Sequence, residues 1–542
     1  ADEVAAHYHA KRKGFPVPIA LAFGPFARFT SPDSAEIRWR TDEPSPTVLL
    51  YDSEGETQRI EDVTLKTEHV ATLSDLPRGP VGRYRIGTVV AGKSGMTSEF
   101  ELETEFNFSP LAVPKGDVEI SKRVTDGAKR TLEVAGVDRG ICLLFGCADG
   151  RRAYEIARQS HLRVVVVDTD RARIAKTRAW LRKVGVYGVR VAVHHVESYE
   201  QLPFINGFAN VVTFAETDRL PPVKSRSAAK WLRPDGGVLC VGHLVGRDVD
   251  FDKAVLFKWI ETSGMKSLVV DEVTGVWAVA KREPLAGAGE WSHLYGTADN
   301  SAYGGEQLGG ASTAGELDLQ WLGRPGPRVQ PDRNGRKPSP LSTGGRLFVQ
   351  GLDRLIALDA YNGTILWSLE IPPLGRFNMP RDSGNWCADR DELFVAIRGE
   401  CWRIDARTGK LKAVQSVIDA KRADWKYDWG YIARAGDRLL GSAVKQGTAY
   451  NDFWGKADAG WYDARSGPAT YKVCSDNLFA LDAKTGKRVW TYEDGVILQS
   501  TLTVAKDRVC FLESRNEEIK AGKDRRIGDE KLWKDQYLVA LD

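Results

Sequence analysis

In the stretch LLFGCADGRRAYEIARQSHLRVVVVDTD, residues 143–170, a glycine-rich turn stands between an apolar run and four consecutive valines that end on Asp168. Gly146 and Gly150 let the backbone turn tightly and approach a ligand closely where a strand feeds a helix. Asp168, eighteen residues past Gly150, closes the next strand, where a carboxylate can accept hydrogen bonds from both hydroxyls of a ribose. The chemistry of such a set is capture of a nucleoside-bearing ligand at the carboxyl edge of a sheet. The competing reading is structural: the turn only folds a helix back onto the sheet.

Other residue types that could do chemistry are sparse. Group transfer at that edge needs an acceptor held in line and, for some acceptors, a base. Glu216 and the pair His194-His195 fall where such a base would stand, but each also reads as a structural residue, and no catalytic residue is assigned. His7 and His9 alternate as strand neighbours would and could grip a metal; they are read as solvated terminal residues, and no metal is assigned. The seven cysteines are scattered, with no Cys-x-x-Cys pair and no zinc-type spacing. Their odd number leaves at least one thiol free.

The elements that must position the turn follow from periodicity. From about 118 to 282 helical and strand patterns alternate: VEISKRVTDGAKRTLEVAG as helix, ICLLFG as strand, RRAYEIARQ as helix, RVVVVD as strand, RARIAKTRAWLRKVG as helix and VRVAVHH as strand. Continuous apolar strands interleaved with helices predict an α/β, Rossmann-like doubly wound sheet covered on both faces. Before it, residues 20–107 read as an all-β sandwich of short alternating segments between Pro, Gly, Asp and Ser clusters, preceded by an extension over 1–19 and followed by a linker over 107–117. After it, from 290 to 542, the phrases LDAYNGTILW, IDARTGKLKA and LDAKTGKRVW repeat an Asp-Ala-x-[Asn/Thr]-Gly turn after β-rich runs. Asp359, Asp405 and Asp482 can cap these turns, and Gly363, Gly409 and Gly486 can take the positive φ they need. Trp367 and Trp490 can then wedge between neighbouring blades of a partial β-propeller, with Trp321 in LDLQW on a closing strand.

Three resemblances sit on these stretches. SPDSAEIRWRTDEPSPTVLLY with LSDLPRGPVGRYRIGTVV resembles the fibronectin type III sandwich, with Trp39 as the inward tryptophan and Leu76, Pro77 and Tyr84 as its corner. The repeat over 290–542 resembles the quinoprotein (PQQ-type) β-propeller family. That family's enzymes place adjacent cysteines and calcium-binding carboxylates near the quinone; this chain has no adjacent cysteines, so the repeats are read as a non-enzymatic propeller without PQQ. Residues 118–282 resemble the class I S-adenosylmethionine (SAM) methyltransferases. Gly146 and Gly150 match the outer glycines of that family's first motif and Ala148 the central one. Asp168 matches the ribose-binding acid, Glu197 is the nearest candidate for the acid that contacts the adenine amine, and WLRPDGGVLCVG matches a late turn. The resemblance implies SAM as cofactor, bound by Gly146, Ala148, Gly150, Asp168 and Glu197. Leu144 stands where the family has an acidic residue, and TFAE (213–216) stands where amine-directed members carry an Asn/Asp-Pro-Pro motif, so methylation of a base or an amide has no support.

Composition bounds the function. The 542 residues are too many for one core, and 42% hydrophobic with 27% charged residues describes a soluble globular chain without a bilayer-crossing run. With 76 basic against 73 acidic residues there is no footprint for nucleic acid. The chain opens ADEVAAHYHAKRKG, compatible with removal of a signal peptide. A PQQ-dependent dehydrogenase is the third and least favoured reading, and two functions stand ahead of it. One is an extracytoplasmic binding or scaffold protein, its methyltransferase-like domain with SAM binding left open and its propeller completed by a protein partner or a further chain segment. The other is a SAM-dependent methyltransferase with a small-molecule substrate.

Overall fold

The computed structural model describes residues 21–90, 93–114, 118–246, 253–269, 273, 275–323, 338–351, 353–374, 384–420, 425–446, 448, 473–522, 525 and 528–542. His7, His9 and the rest of the 1–19 extension lie outside the described residues, as do positions 115–117 of the expected linker.

Six strands open the chain: β1 (Phe23–Ser31), β2 (Ser34–Ser53), β3 (Glu56–Leu73), β4 (Val81–Val90), β5 (Lys93–Met96) and β6 (Phe100–Glu103). Sequence reading expects AEIRWRTD and PTVLLYDS to be two strands; they are one, β2. Its pairing with β3 shifts register between Arg40 and Ser45 and again before Thr47. Pro44 and Pro46 occupy that interval, and a residue without an N–H interrupts the ladder there and bends the strand without ending it. Trp39, Leu76 and Tyr84 are all buried. Trp39 stacks on His69 with ring centroids 5.1 Å apart.

The α/β layer comprises α1 (Lys122–Ala135), β7 (Arg139–Phe145), α2 (Arg151–Arg158), β8 (His161–Asp168), α3 (Arg171–Lys183), β9 (Val191–His195), β10 (Val211–Phe214), α4 (Ser225–Lys230), β11 (Val238–Leu244), α5 (Lys253–Glu261), β12 (Lys266–Val269) and β13 (Gly275–Lys281). Its sheet runs β12-β13-β11-β10-β7-β8-β9. Neighbours from β11 to β9 are parallel, and β13 is antiparallel to β11. Side chains alternate along β7: Cys142 and Leu144 join the core under α1, α2 and α3, while Leu143 and Phe145 join the core under α4 and α5. Burial on both faces is what makes these strands apolar throughout. From β7 the chain first builds outward through β8 and β9, then returns to β10 on the other flank. That reversal opens a crevice at the carboxyl ends of β7, β8 and β10.

The C-terminal strands fall into successive antiparallel sheets. The first is β14 (Leu341–Thr343), β15 (Arg346–Gly351), β16 (Arg354–Asp359) and β17 (Ile365–Glu370). The second is β18 (Trp386–Ala388), β19 (Glu392–Ile397), β20 (Glu400–Asp405) and β21 (Leu411–Ser416). The third is β22 (Tyr427–Ala435), β23 (Arg438–Lys445), β24 (Cys474–Asp482) and β25 (Arg488–Tyr492). Strands β26 (Val496–Leu498), β27 (Thr503–Ala505), β28 (Arg508–Ser514) and β29 (Gln536–Leu541) continue that last sheet.

The repeated turns are built as their residue types require. Asp405 Oδ1 accepts from the Thr408 N–H at 2.8 Å and from the Thr408 hydroxyl at 2.7 Å, and Asp482 does the same with Thr485. Asp359 Oδ1 takes the Tyr361 N–H instead. Trp321 departs from expectation, because residues 317–323 form no strand. It acts through its indole, whose Nε1 donates to the Ala360 carbonyl at 2.9 Å while the ring lies over Gly363.

Two features of this architecture were not anticipated. Strand β1 pairs antiparallel with β2 on one side and with β17, the outer strand of the first C-terminal sheet, on the other, so one sheet of ten strands runs through both modules. The first repeat turn also docks on the α/β layer. Asp359 Oδ2 accepts from Asn210 at 2.8 Å and lies 3.0 Å from Arg233 Nε, and Asn362 donates to the Phe208 carbonyl and to Asn210.

His293, 7% exposed, gives this assembly a pH dependence. Its Nε2 accepts the Arg434 N–H at 3.0 Å, which leaves Nδ1 to face the Ser292 hydroxyl at 2.8 Å. Burial pushes its pKa down to about 4, with Asp299 pulling weakly the other way. The unfolded chain therefore takes up the proton first, near 6.5, and the folded chain only near 4. Stability should fall as pH drops through that window, read as the thermal midpoint against pH, and the slope there should be smaller in His293→Gln.

Candidate cofactor site

The crevice is built by three strand ends. Phe145 ends β7, and its carbonyl accepts the Ala215 N–H at 2.9 Å, which ties β7 to the end of β10. Gly146 N–H donates to the Val167 carbonyl at 2.8 Å, which ties the same turn to β8. The turn then passes through Gly146 (φ 84), Ala148 (φ 44) and Gly150 (φ 84) before α2 begins. All three lie in the left-handed region that favours glycine, and Ala148 holds it with a side chain. Gly150 has a packing reason of its own: a β-carbon there would sit 3.0 Å from Thr177 Cγ2 and 3.3 Å from the Trp180 ring. Its lack of a side chain lets α2 close against α3.

Asp168 stands where sequence reading places it, beside the turn, but its carboxylate is engaged by the chain itself. Oδ2 accepts the Cys147 N–H at 2.7 Å; Oδ1 accepts the Asp170 N–H at 2.9 Å and Arg173 Nη2 at 3.0 Å. Three of its roughly four acceptor positions are thus filled, and the side chain is 0% exposed. Arg173 reaches it because Asp170 caps α3, accepting the Ala172 and Arg173 N–H groups, which puts Arg173 in the first turn directly over the end of β8. Its other nitrogen, Nη1, lies 3.4 Å from Glu216 Oε1, and Glu216 Oε2 lies 3.4 Å from Arg219. The guanidinium therefore spans the crevice from β8 to the segment after β10.

The remaining candidates are dispersed. Glu197 lies two residues past β9 with its side chain 87% exposed, paired with Arg171 at 3.4 Å and near His195 Nδ1 at 3.5 Å. His194 packs edge-on against Phe204, and burial with Arg178 nearby lowers its pKa. Leu144 is wholly buried. Sequence reasoning missed Arg173, Tyr199 and Cys147. Tyr199 sits edge-on to Phe145, and burial with the Asp168 charge pushes its hydroxyl up to about 12. Cys147 is 2% exposed, and burial with Asp168 beside it pushes its thiol up to about 12, so it carries no reactive thiolate at neutral pH. All seven cysteines are free, and six are buried.

The acid expected to take the ribose hydroxyls holds the turn and Arg173 in this structure. Among the described residues no group of His, Cys, Asp and Glu could hold a metal ion, and no helix is long and apolar enough to cross a membrane.

No family model and no curated protein sequence matches the chain. Among solved structures it is similar to a SAM-dependent methyltransferase from Aquifex aeolicus, at 16% identity and a TM-score of 0.26, over 30% of this chain and 94% of that one. It is also similar to the [4+2]-cyclase SpnF, at 14% identity and a TM-score of 0.26, over 33% of this chain and 87% of that one. A third is geranyl diphosphate C-methyltransferase from Streptomyces coelicolor, solved with Mg2+, geranyl diphosphate and S-adenosyl-L-homocysteine, at 12% identity and a TM-score of 0.24, over 32% of this chain and 91% of that one.

Proposed function

We propose that the chain is an extracytoplasmic multidomain binding or scaffold protein. In this reading a fibronectin type III-like sandwich and PQQ-type propeller repeats flank a methyltransferase-like α/β layer that serves as a structural hub. The observation that carries it is the state of Asp168, whose carboxylate anchors the Cys147 and Asp170 amides and Arg173 and presents no surface to a ligand. The docking of the first repeat turn on Asn210 and Arg233 supports the hub role, since it fixes the layer to the blades by buried polar contacts. Burial of six of the seven thiols keeps them from exchange in an oxidising compartment. A protein partner or a further blade segment fits the exposed strand β29, where Leu538 is 77% exposed.

The second reading, a SAM-dependent methyltransferase acting on a small molecule, is favoured by the left-handed turn Gly146-Ala148-Gly150 at the crevice. Calorimetric titration with S-adenosylhomocysteine separates the two. The scaffold reading expects no heat of binding from the unaltered chain, together with a lowered thermal midpoint for Asp168→Ala, because the turn loses its anchor. Saturable heat that Asp168→Ala abolishes would replace it with the enzyme.

A further inference from the structure

We propose that the junction of the N-terminal strands, the α/β layer and the first two blades is a binding site for a small organic anion, a carboxylate or phosphate monoester on an aromatic body. The inference is independent of the reading above. A cavity of about 270 Å³ lies there, lined by Arg28 from β1, Arg139 from the start of β7 and Lys410 from the turn after β20, with Phe29 and Phe108 among its walls. No acidic side chain lines it. Arg139 opens β7, whereas the glycine turn follows its other end, about 20 Å away along the strand, so this cavity and the crevice are separate places.

A guanidinium that gives up hydration needs a negative partner; Arg28 and Arg139 are half-buried here, whereas Lys410 is exposed. Arg28 has such a partner in Glu36 at 3.1 Å. Among the described residues the side chains of Arg139 and Lys410 make no hydrogen bond and no ion pair, and only the neighbouring Asp138 charge acts on Arg139. Burial lowers the Arg139 pKa, as expected of a guanidinium that has given up water without gaining an acceptor. Thr30 and Ser109, also in the lining, add hydroxyls. A carboxylate or phosphate would satisfy Arg139 and Lys410 together, and the aromatic walls suit an apolar body behind it. Because the walls come from separate modules, an occupant would also hold those modules together.

The test is a titration of the intact chain with phenyl phosphate, benzoate, inorganic phosphate and phenol, read by calorimetry and by thermal midpoint. We expect saturable binding of phenyl phosphate or benzoate, weakening with added salt, and no response to phenol. Arg139→Gln and Lys410→Gln should each weaken it about tenfold, whereas the exposed Lys484→Gln should not. Circular dichroism shows whether each variant is folded; should one not fold, the salt dependence and the other variant carry the test. Absence of saturable binding by either aromatic anion, binding that survives both substitutions, or inorganic phosphate binding as tightly as phenyl phosphate would overturn the proposal.

Discussion

Replacing Arg354 with alanine should destabilise the chain by about 3–5 kcal/mol, the cost of leaving one member of a buried ion pair without its partner. Arg354 is 2% exposed, and Glu370, its cross-strand partner in β16 and β17, is 5% exposed. Arg354 Nη2 donates to Glu370 Oε1 and lies 3.4 Å from Glu103 Oε2, and the guanidinium covers the Phe106 ring at 3.4 Å. Both Glu370 oxygens also accept the Glu103 N–H at 3.2 Å. Four residues from two modules thus share one buried network where β1 joins β17. Burial already pushes the Glu370 pKa up, with Arg354 as the strongest opposing influence. Without Arg354 the carboxyl must be protonated or expose itself, and either route loosens the seam. The double variant Arg354→Met with Glu370→Leu should recover most of the loss, since it removes the charges together and keeps the volume. Thermal midpoints of the single and double variants check this; a double variant as unstable as Arg354→Ala would mean that the network holds the seam by more than charge pairing.

Local chemistry was legible in the sequence and long-range pairing was not. The turns at Asp359, Asp405 and Asp482 announce themselves because carboxylate caps and left-handed glycines act within a few residues. The unbroken apolar runs of β7 and β8 likewise report burial on both faces. The union of β1 with β17 joins residues more than three hundred positions apart, and no periodicity encodes which edge finds which. The same limit applies at the crevice. Asp168 was found in place because it ends a valine run, but its role depends on what stands over it. A signal was present: Asp170 is a capping residue, and an arginine three positions on falls in the first helical turn, above the strand end. Glu197 stands apart for a different reason. It lies beyond the end of β9, where a one-residue uncertainty decides between the crevice and solvent.

Trp367→Ala should cost a similar amount, about 3–5 kcal/mol for emptying a large buried aromatic site. The indole is 6% exposed; its Nε1 donates to the Ala406 carbonyl at 3.0 Å, and its ring lies on Gly409 of the next repeat turn. A β-carbon at Gly409, where φ is 70, would fall 2.7 Å from that ring, so turn and tryptophan are fitted to each other. The same joint recurs one repeat earlier, where Trp321 covers Gly363 and bonds the Ala360 carbonyl. One repeat later the sequence has Ala413 at the equivalent position, and Gln415 reaches over Gly486 instead. A glutamine fills less apolar space than an indole, so Gln415→Ala should cost clearly less than Trp367→Ala. Denaturation midpoints measured side by side test the ranking. Equal losses at the two joints would show that the turn backbone, and not the ring wedged against it, sets how neighbouring sheets hold together.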